Sequence, residues 1–225
     1  MPGTESYIDE ETHELCYRGR HIFMGYLHMP EETAAVIDQD GFLHSGDIAE
    51  FDGNDCPGIP SPSGFMKITG RIKELIITAG GENIPPVLIE DAMKTAMPFI
   101  STCMVVGDRR KYLGMLLSLK CDVNQATGEP TEFLSEEVLA VGREIGSSAT
   151  TMSAAAENPL WIARIDAGIK EVNARTTSNA QKVQKWKMLP VDVSEAAGDL
   201  TPTLKLKRNV MAVKYAALID AIYDD

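Results

Sequence analysis

Asp47 closes the stretch "HSGD" and is the first residue whose type and setting suggest chemistry. After a glycine, an aspartate is ordinarily a turn or cap residue. Its functional reading is a carboxylate, acceptor-only, receiving hydrogen bonds from a vicinal pair of hydroxyls such as ribose offers. Arg71 follows Gly70 in "GRIKELIITAGGENIPP". As a surface ion pair it would contribute little. As a planar donor fork it suits a nucleotide. Lys73 stands two residues on, where a lysine is ordinarily solvated. Gly80, Gly81, Glu82 and Asn83 form a loop that matches neither GxxxxGK[ST] nor GxGxxG. That loop reads as a hairpin turn whose backbone N–H groups or small glycines would also tolerate a phosphate or a thin ligand. Near the end, "LTPTLKLKR" gathers Lys205, Lys207 and Arg208 in an otherwise acidic chain. Cations before a helix oppose its dipole. An ammonium reaching a phosphate or carboxylate would account for them.

These residues need elements to hold them. Alternation over 14–27 suggests two short strands about Gly19, and 30–37 opens like a helix. Residues 40–52 read as turn then strand, and the Gly/Pro/Ser-dense 53–64 as a surface loop. "GFMKITG" and "KELIIT" read as a strand pair around Gly70 and Arg71. A helix is expected from Val87 to Met97, with Leu88, Ala92 and Thr95 along one face. "STCMVVGD" and "YLGMLLSLKC" are apolar strands joined by a hairpin-like "GDRRKY". Residues 122–133 read as a polar loop and 146–158 as a mobile low-complexity stretch. Helices are expected over 135–145 and 159–179, the second striped by Trp161, Ile165, Ile169 and Val172. "KWKMLPVDV" reads as a strand, and a last helix carries Val210, Val213, Ala217 and Ala221. Strand, helix, strand, strand is an α+β pattern.

The chain has 225 residues, is 44% apolar and carries a net charge of −12. It is therefore long enough to bury a core, and too acidic for non-specific nucleic-acid binding. Its four cysteines, Cys16, Cys56, Cys103 and Cys121, lie far apart and read as reduced thiols without a zinc motif. No apolar run approaches the roughly 20 residues of a membrane span, and the acidic N-terminus is unlike a signal peptide. His13, His21, His28 and His44 lack hydrolase partners and read as ordinary.

Taken together, "DGFLHSGDIAEFD", "GRIKELIITAGGENIPPVLIE" and "LTPTLKLKR", in this order, resemble the adenylate-forming enzymes. The nearest likeness is to the long-chain fatty acyl-CoA synthetases of the bubblegum-type branch. "RGRHIFMGYL" fits the same family, and the resemblance runs from Glu14 onward. It implies two domains: residues 1–70, a small β-rich end of the large N-terminal domain, and residues 71–225, a mobile α+β C-terminal lid. It implies that Asp47 and Arg71 contact the ribose of ATP and acyl-AMP, that Lys73 is the hinge, and that Lys205 is the catalytic lysine. Leu204 stands where the family usually has glycine, and Ser45 where it usually has threonine. Gly80–Asn83 would line the CoA channel. No metal ligand is assigned; Mg2+ would arrive with the ATP phosphates, on residues outside this chain.

The implied reaction makes acyl-AMP from a fatty acid and ATP, then transfers the acyl group to CoA. The chain has no "SSGTTGxPKG" phosphate loop, so it is expected to be a fragment, inactive alone. ATP or AMP, fatty acid and CoA are the expected partners, in the cytoplasm or peripherally on an intracellular membrane. The alternatives are an aryl- or medium-chain CoA ligase of the same superfamily, or a non-catalytic lid-like module binding nucleotide, acyl-CoA or a protein.

Overall fold

The computed structural model describes residues 3–51 and 65–224. The chain forms two compact units, Met1–Leu75 and Ile76–Asp225. It mixes helix and sheet throughout, as the α+β pattern requires.

The first unit is built on an antiparallel sheet in chain order: β1 (Thr4–Ile8), β2 (Glu14–Gly19), β3 (Leu43–Phe51) and β4 (Met66–Arg71). Helix α1 (Pro30–Val36) joins β2 to β3, opening on proline with Glu31 and Glu32 in its first turn. That arrangement suits its dipole. Two expectations fail here. The second strand after Gly19 does not form: 20–29 make only a single bridge, Tyr26 to Met29. Met24 and Leu27 are exposed, so their alternation has no buried face to match. Nor does "KELIIT" pair with "GFMKITG". Strand β4 pairs with β3, and the chain then turns through a 3-10 segment at Ile72–Glu74. The expected 53–64 loop lies outside the described residues.

The second unit begins with a small hairpin, β5 (Ile76–Ile77) and β6 (Asn83–Ile84), followed by α2 (Pro86–Ala96). Its centre is a three-stranded sheet of β7 (Ile100–Val106), β8 (Leu113–Leu119) and β11 (Val183–Met188), ordered β11-β8-β7. Strands β7 and β8 are antiparallel, whereas β11 runs parallel to β8. Every residue of β8 is buried. Leu113, Met115, Leu117 and Leu119 join one core, while Leu116 joins another with Met104 and Val106. A strand covered on both faces reads as an unbroken apolar run, which is why "LGMLLSL" does not alternate.

Between β8 and β11 come β9 (Cys121–Val123), β10 (Pro130–Leu134), α3 (Glu136–Glu144), α4 (Met152–Glu157) and α5 (Pro159–Asn173). The expected polar loop at 122–133 is a hairpin of β9 and β10. The expected mobile stretch contains α4, started by Thr151 accepting from the Ala154 amide and anchored by buried Met152 and Ala155. Asn158 caps α5, and Trp161, Ile165, Ile169 and Val172 are buried as their spacing implies. Each such side chain contributes about 1.5–3 kcal/mol by leaving water.

Two stripes run the other way. In α2 the buried side is Ile89, Glu90 and Met93, while Leu88, Ala92 and Thr95 face solvent. The last helix is two, α6 (Arg208–Lys214) and α7 (Ala216–Tyr223). Met211, Ile222 and the intervening Tyr215 are core residues, with Val210 and Val213 exposed.

Candidate functional site

In the first unit, the pairing of β2 with β3 is uneven. Cys16 faces His44, yet Glu14 faces Ile48, so two steps on β2 oppose four on β3. The surplus is a bulge at Ser45, Gly46 and Asp47, with Gly46 at φ +72°. The Ser45 hydroxyl donates to the Leu15 carbonyl at 2.7 Å and accepts from the Asp47 amide at 3.0 Å. The bulge sets Asp47 opposite Arg71 on β4. Arg71 Nε donates to Asp47 Oδ1 at 2.8 Å, and this bond raises the guanidinium's affinity for its proton. The expected ribose pair therefore stands side by side on adjacent strands, with the aspartate side chain one-third exposed and the arginine more so.

Lys73 sits exposed in the 3-10 turn after Arg71, close to the end of the first unit. In the second unit, Gly80–Asn83 is the tip and return of the β5–β6 hairpin. Gly81 has φ +80°, and its amide donates to the Thr78 carbonyl at 2.9 Å. Glu82 accepts from Ser178 at 3.0 Å, and the Ala79 amide donates to the Arg110 carbonyl at 3.0 Å. The tip glycines are exposed and rest on a braced base.

Lys205 lies on a strap between β11 and α6. Leu200 bridges Leu206. The Thr201 amide donates to the Lys205 carbonyl at 2.8 Å, and the Lys205 amide donates to the Thr201 hydroxyl at 3.0 Å. Leu204 takes φ +59°, the left-handed conformation that glycine adopts freely. Lys205 is exposed, with no carboxylate bonded to its ammonium among the described residues. The strap is fastened at both ends. Fully buried Asp199 accepts from Lys214 at 2.8 and 2.9 Å, and its carbonyl accepts from the Lys207 amide at 2.9 Å. Arg208, the first residue of α6, pairs with buried Glu90 of α2. Glu90 also accepts from the Val105 amide at 2.7 Å. Burial pushes the Glu90 carboxyl above its ordinary range, and Arg208 opposes that shift. Of the three clustered cations, Arg208 is thus a structural anchor.

Sequence reasoning passed over Glu14 and His44. Glu14 Oε1 accepts from the Gly46 amide at 2.7 Å, and Oε2 lies 2.9 Å from His44 Nδ1. His44 Nε2 is 3.6 Å from the Asp38 carboxylate. The Glu14 bond raises the His44 pKa from 6.5 despite partial burial. Cys16 Sγ lies 3.5 Å from the same nitrogen, so one oxygen, one sulfur and one nitrogen fall within 4.8 Å of each other. Glu14 and His44 spend those atoms on one another. No local spacing signals this group, because His44 lies about thirty residues from Glu14 and Cys16 and only the sheet unites them.

Residues 73–154 match the C-terminal domain of AMP-binding enzymes. Over 94% of its length the chain is 52% identical to the long-chain-fatty-acid–CoA ligase ACSBG2 of Gallus gallus, covering 27% of that protein. It is 45% identical to ACSBG1 of Rattus norvegicus, again over 94% of the chain and 28% of the relative. The chain thus spans little more than a quarter of the curated relatives it matches. Among solved structures, the adenylation domain of a carboxylate reductase from Mycobacterium chelonae aligns with all of the chain and 32% of its own. Its TM-score is 0.70 at 22% identity, which supports the fold.

Proposed function

We propose that this chain, whose residues 73–154 match the C-terminal domain of AMP-binding enzymes and which is 52% identical over 94% of its length to a long-chain-fatty-acid–CoA ligase, works as the lid-bearing end of such a ligase. Residues 1–70 close the nucleotide pocket. Residues 71–225 are the lid, turning about Lys73. The observation that carries this reading is the cross-strand pairing of Asp47 with Arg71 at the end of β4.

In the proposed reaction a fatty acid carboxylate attacks the α-phosphate of ATP, forming acyl-AMP and releasing pyrophosphate. The thiol of CoA then attacks the acyl carbonyl and AMP leaves. Asp47 accepts hydrogen bonds from the ribose hydroxyls, and Arg71 holds Asp47 and adds donors beside the same sugar. In the first step Lys205 offsets the charge gathered between carboxylate and α-phosphate. A preorganised cation of this kind is worth roughly 10²–10³ in rate. Its strap suits the task, since among the described residues no carboxylate is bonded to its ammonium, which leaves that charge available for the reacting centre.

In the second step the lid turns, withdrawing Lys205 and bringing in the Gly80–Asn83 hairpin tip, whose bare glycines leave room for the pantetheine arm. Magnesium would enter with the ATP phosphates, and no residue of this chain is assigned to it. Among the described residues no helix is long and apolar enough to cross a membrane.

The test is a split of the two half-reactions in a full-length ligase carrying this segment. Lys205→Ala should slow acyl-AMP formation by about 10²-fold or more, while thioester formation from supplied acyl-AMP persists. Equal loss in both steps would sink the assignment. The chain alone, given palmitate, ATP and CoA, should release no AMP.

A further inference from the structure

We propose that Glu14 is a positioning residue for the ribose-binding carboxylate, holding the Ser45–Gly46–Asp47 bulge in the shape that aims Asp47 at Arg71. The inference rests on the reading of Asp47 as a ribose ligand and extends it to a residue on the neighbouring strand.

The bulge creates the need. Where β3 departs from β2, the Gly46 amide loses its ladder partner, and an unpaired N–H in a half-buried place is destabilising. Strand β2 answers with a side chain. Glu14 is 9% exposed, and its carboxylate reaches the Gly46 amide at 2.7 Å. Its other oxygen meets His44 Nδ1 at 2.9 Å, and His44 leans on Asp38 through its second nitrogen at 3.6 Å. One carboxylate thus ties residues 44 and 46, on either side of Ser45. Ser45 in turn binds the β2 backbone at Leu15 and the Asp47 amide. The Gly46 amide, the Ser45 hydroxyl and the Asp47 amide thus bond to Glu14, Leu15 and Ser45 respectively. A bond from an amide to an ionised carboxylate is about twice as strong as a neutral one. At Gly46, where φ is +72°, no side chain stiffens the backbone, so the acceptor does so instead.

A residue that acts only through Asp47 has a distinctive signature. The experiment is a double-mutant cycle on AMP affinity, measured by calorimetry on the full-length ligase carrying this segment. Asp47→Ala alone should weaken AMP binding, and Glu14→Ala alone should weaken it by roughly ten- to a hundredfold. In the Asp47→Ala background, Glu14→Ala should add nothing. Thermal midpoints, recorded in parallel, separate this effect from general loss of stability. If Glu14→Ala weakens binding by the same factor in both backgrounds, or in neither, Glu14 does not work through Asp47 and the proposal falls. If Asp47→Ala leaves AMP affinity intact, the ribose assignment falls first and takes this inference with it. Should Glu14→Ala not fold, Glu14→Met keeps the bulk without an oxygen acceptor and is run through the same cycle. A loss that vanishes without Asp47 supports the proposal, while an equal loss, or none, overturns it.

Discussion

Leu204 has a backbone angle of +59°, one residue before the proposed catalytic lysine. For an L-residue this conformation costs roughly 1–2 kcal/mol. Replacing Leu204 with glycine removes that strain but adds about 0.4–1 kcal/mol of unfolded-chain entropy. The two offset, so Leu204→Gly should leave the thermal midpoint within a few degrees. A β-branched residue tolerates the angle worse, and Leu204→Val should cost a further 1–2 kcal/mol or so in thermal denaturation. His44 supplies a pH dependence. Its pKa is raised, first by the Glu14 bond and then by Asp38, so the folded protein holds this proton more tightly than the unfolded chain. The stabilisation is complete below 6.5 and is lost as pH rises through the higher folded value. The midpoint of the first unit should fall across that interval, and His44→Gln should flatten the change. Asp47, Arg71 and Lys205 were legible as candidates because each sits in a short motif of unusual chemistry. Glu14 was not, since a lone glutamate at a strand start carries no signal until the opposite strand is in register.

At the level of elements, close packing of α2 against α5 turns on Gly168. A methyl group there would run into the Met97 side chain, whose Cγ would lie at 2.5 Å. Met97 is fully buried, so its side chain must give way inside a packed core. Gly168→Ala gains up to about 1 kcal/mol of helix propensity and loses roughly 1–3 kcal/mol to overpacking. Chemical denaturation should show a net loss of about 1–2 kcal/mol; a stabilised variant would contradict the packing described. Legibility followed length and periodicity. Strands β7 and β8 and the stripe of α5 were plain because long apolar runs and fourfold spacing leave few alternatives. In α2 the wrong face was read because Leu88, Ala92 and Thr95 repeat at helical spacing while the true core face contains a carboxylate, Glu90. Nothing local reveals that Arg208, far along the chain, neutralises it. The valines of α6 misled in the same way. Short pieces such as β9, β10 and α4 draw their stability from neighbours rather than from propensity.

Across the whole molecule, the segment Ile76–Asp225 owns both large apolar cores, on the two faces of its central sheet. Expressed alone it should unfold in urea as one cooperative transition, with circular dichroism and tryptophan fluorescence superimposing. Separate midpoints for the two probes would show that the cores melt independently. The order β11-β8-β7 has a further effect on how the molecule is made. Strand β8 is finished long before Val183 leaves the ribosome, yet the partner for one of its two edges is Val183–Met188. Throughout the synthesis of the intervening helices, the greasiest ribbon in the protein has one flank without hydrogen-bond partners, a template for another nascent copy. That flank stays unpaired until β11 zips onto it.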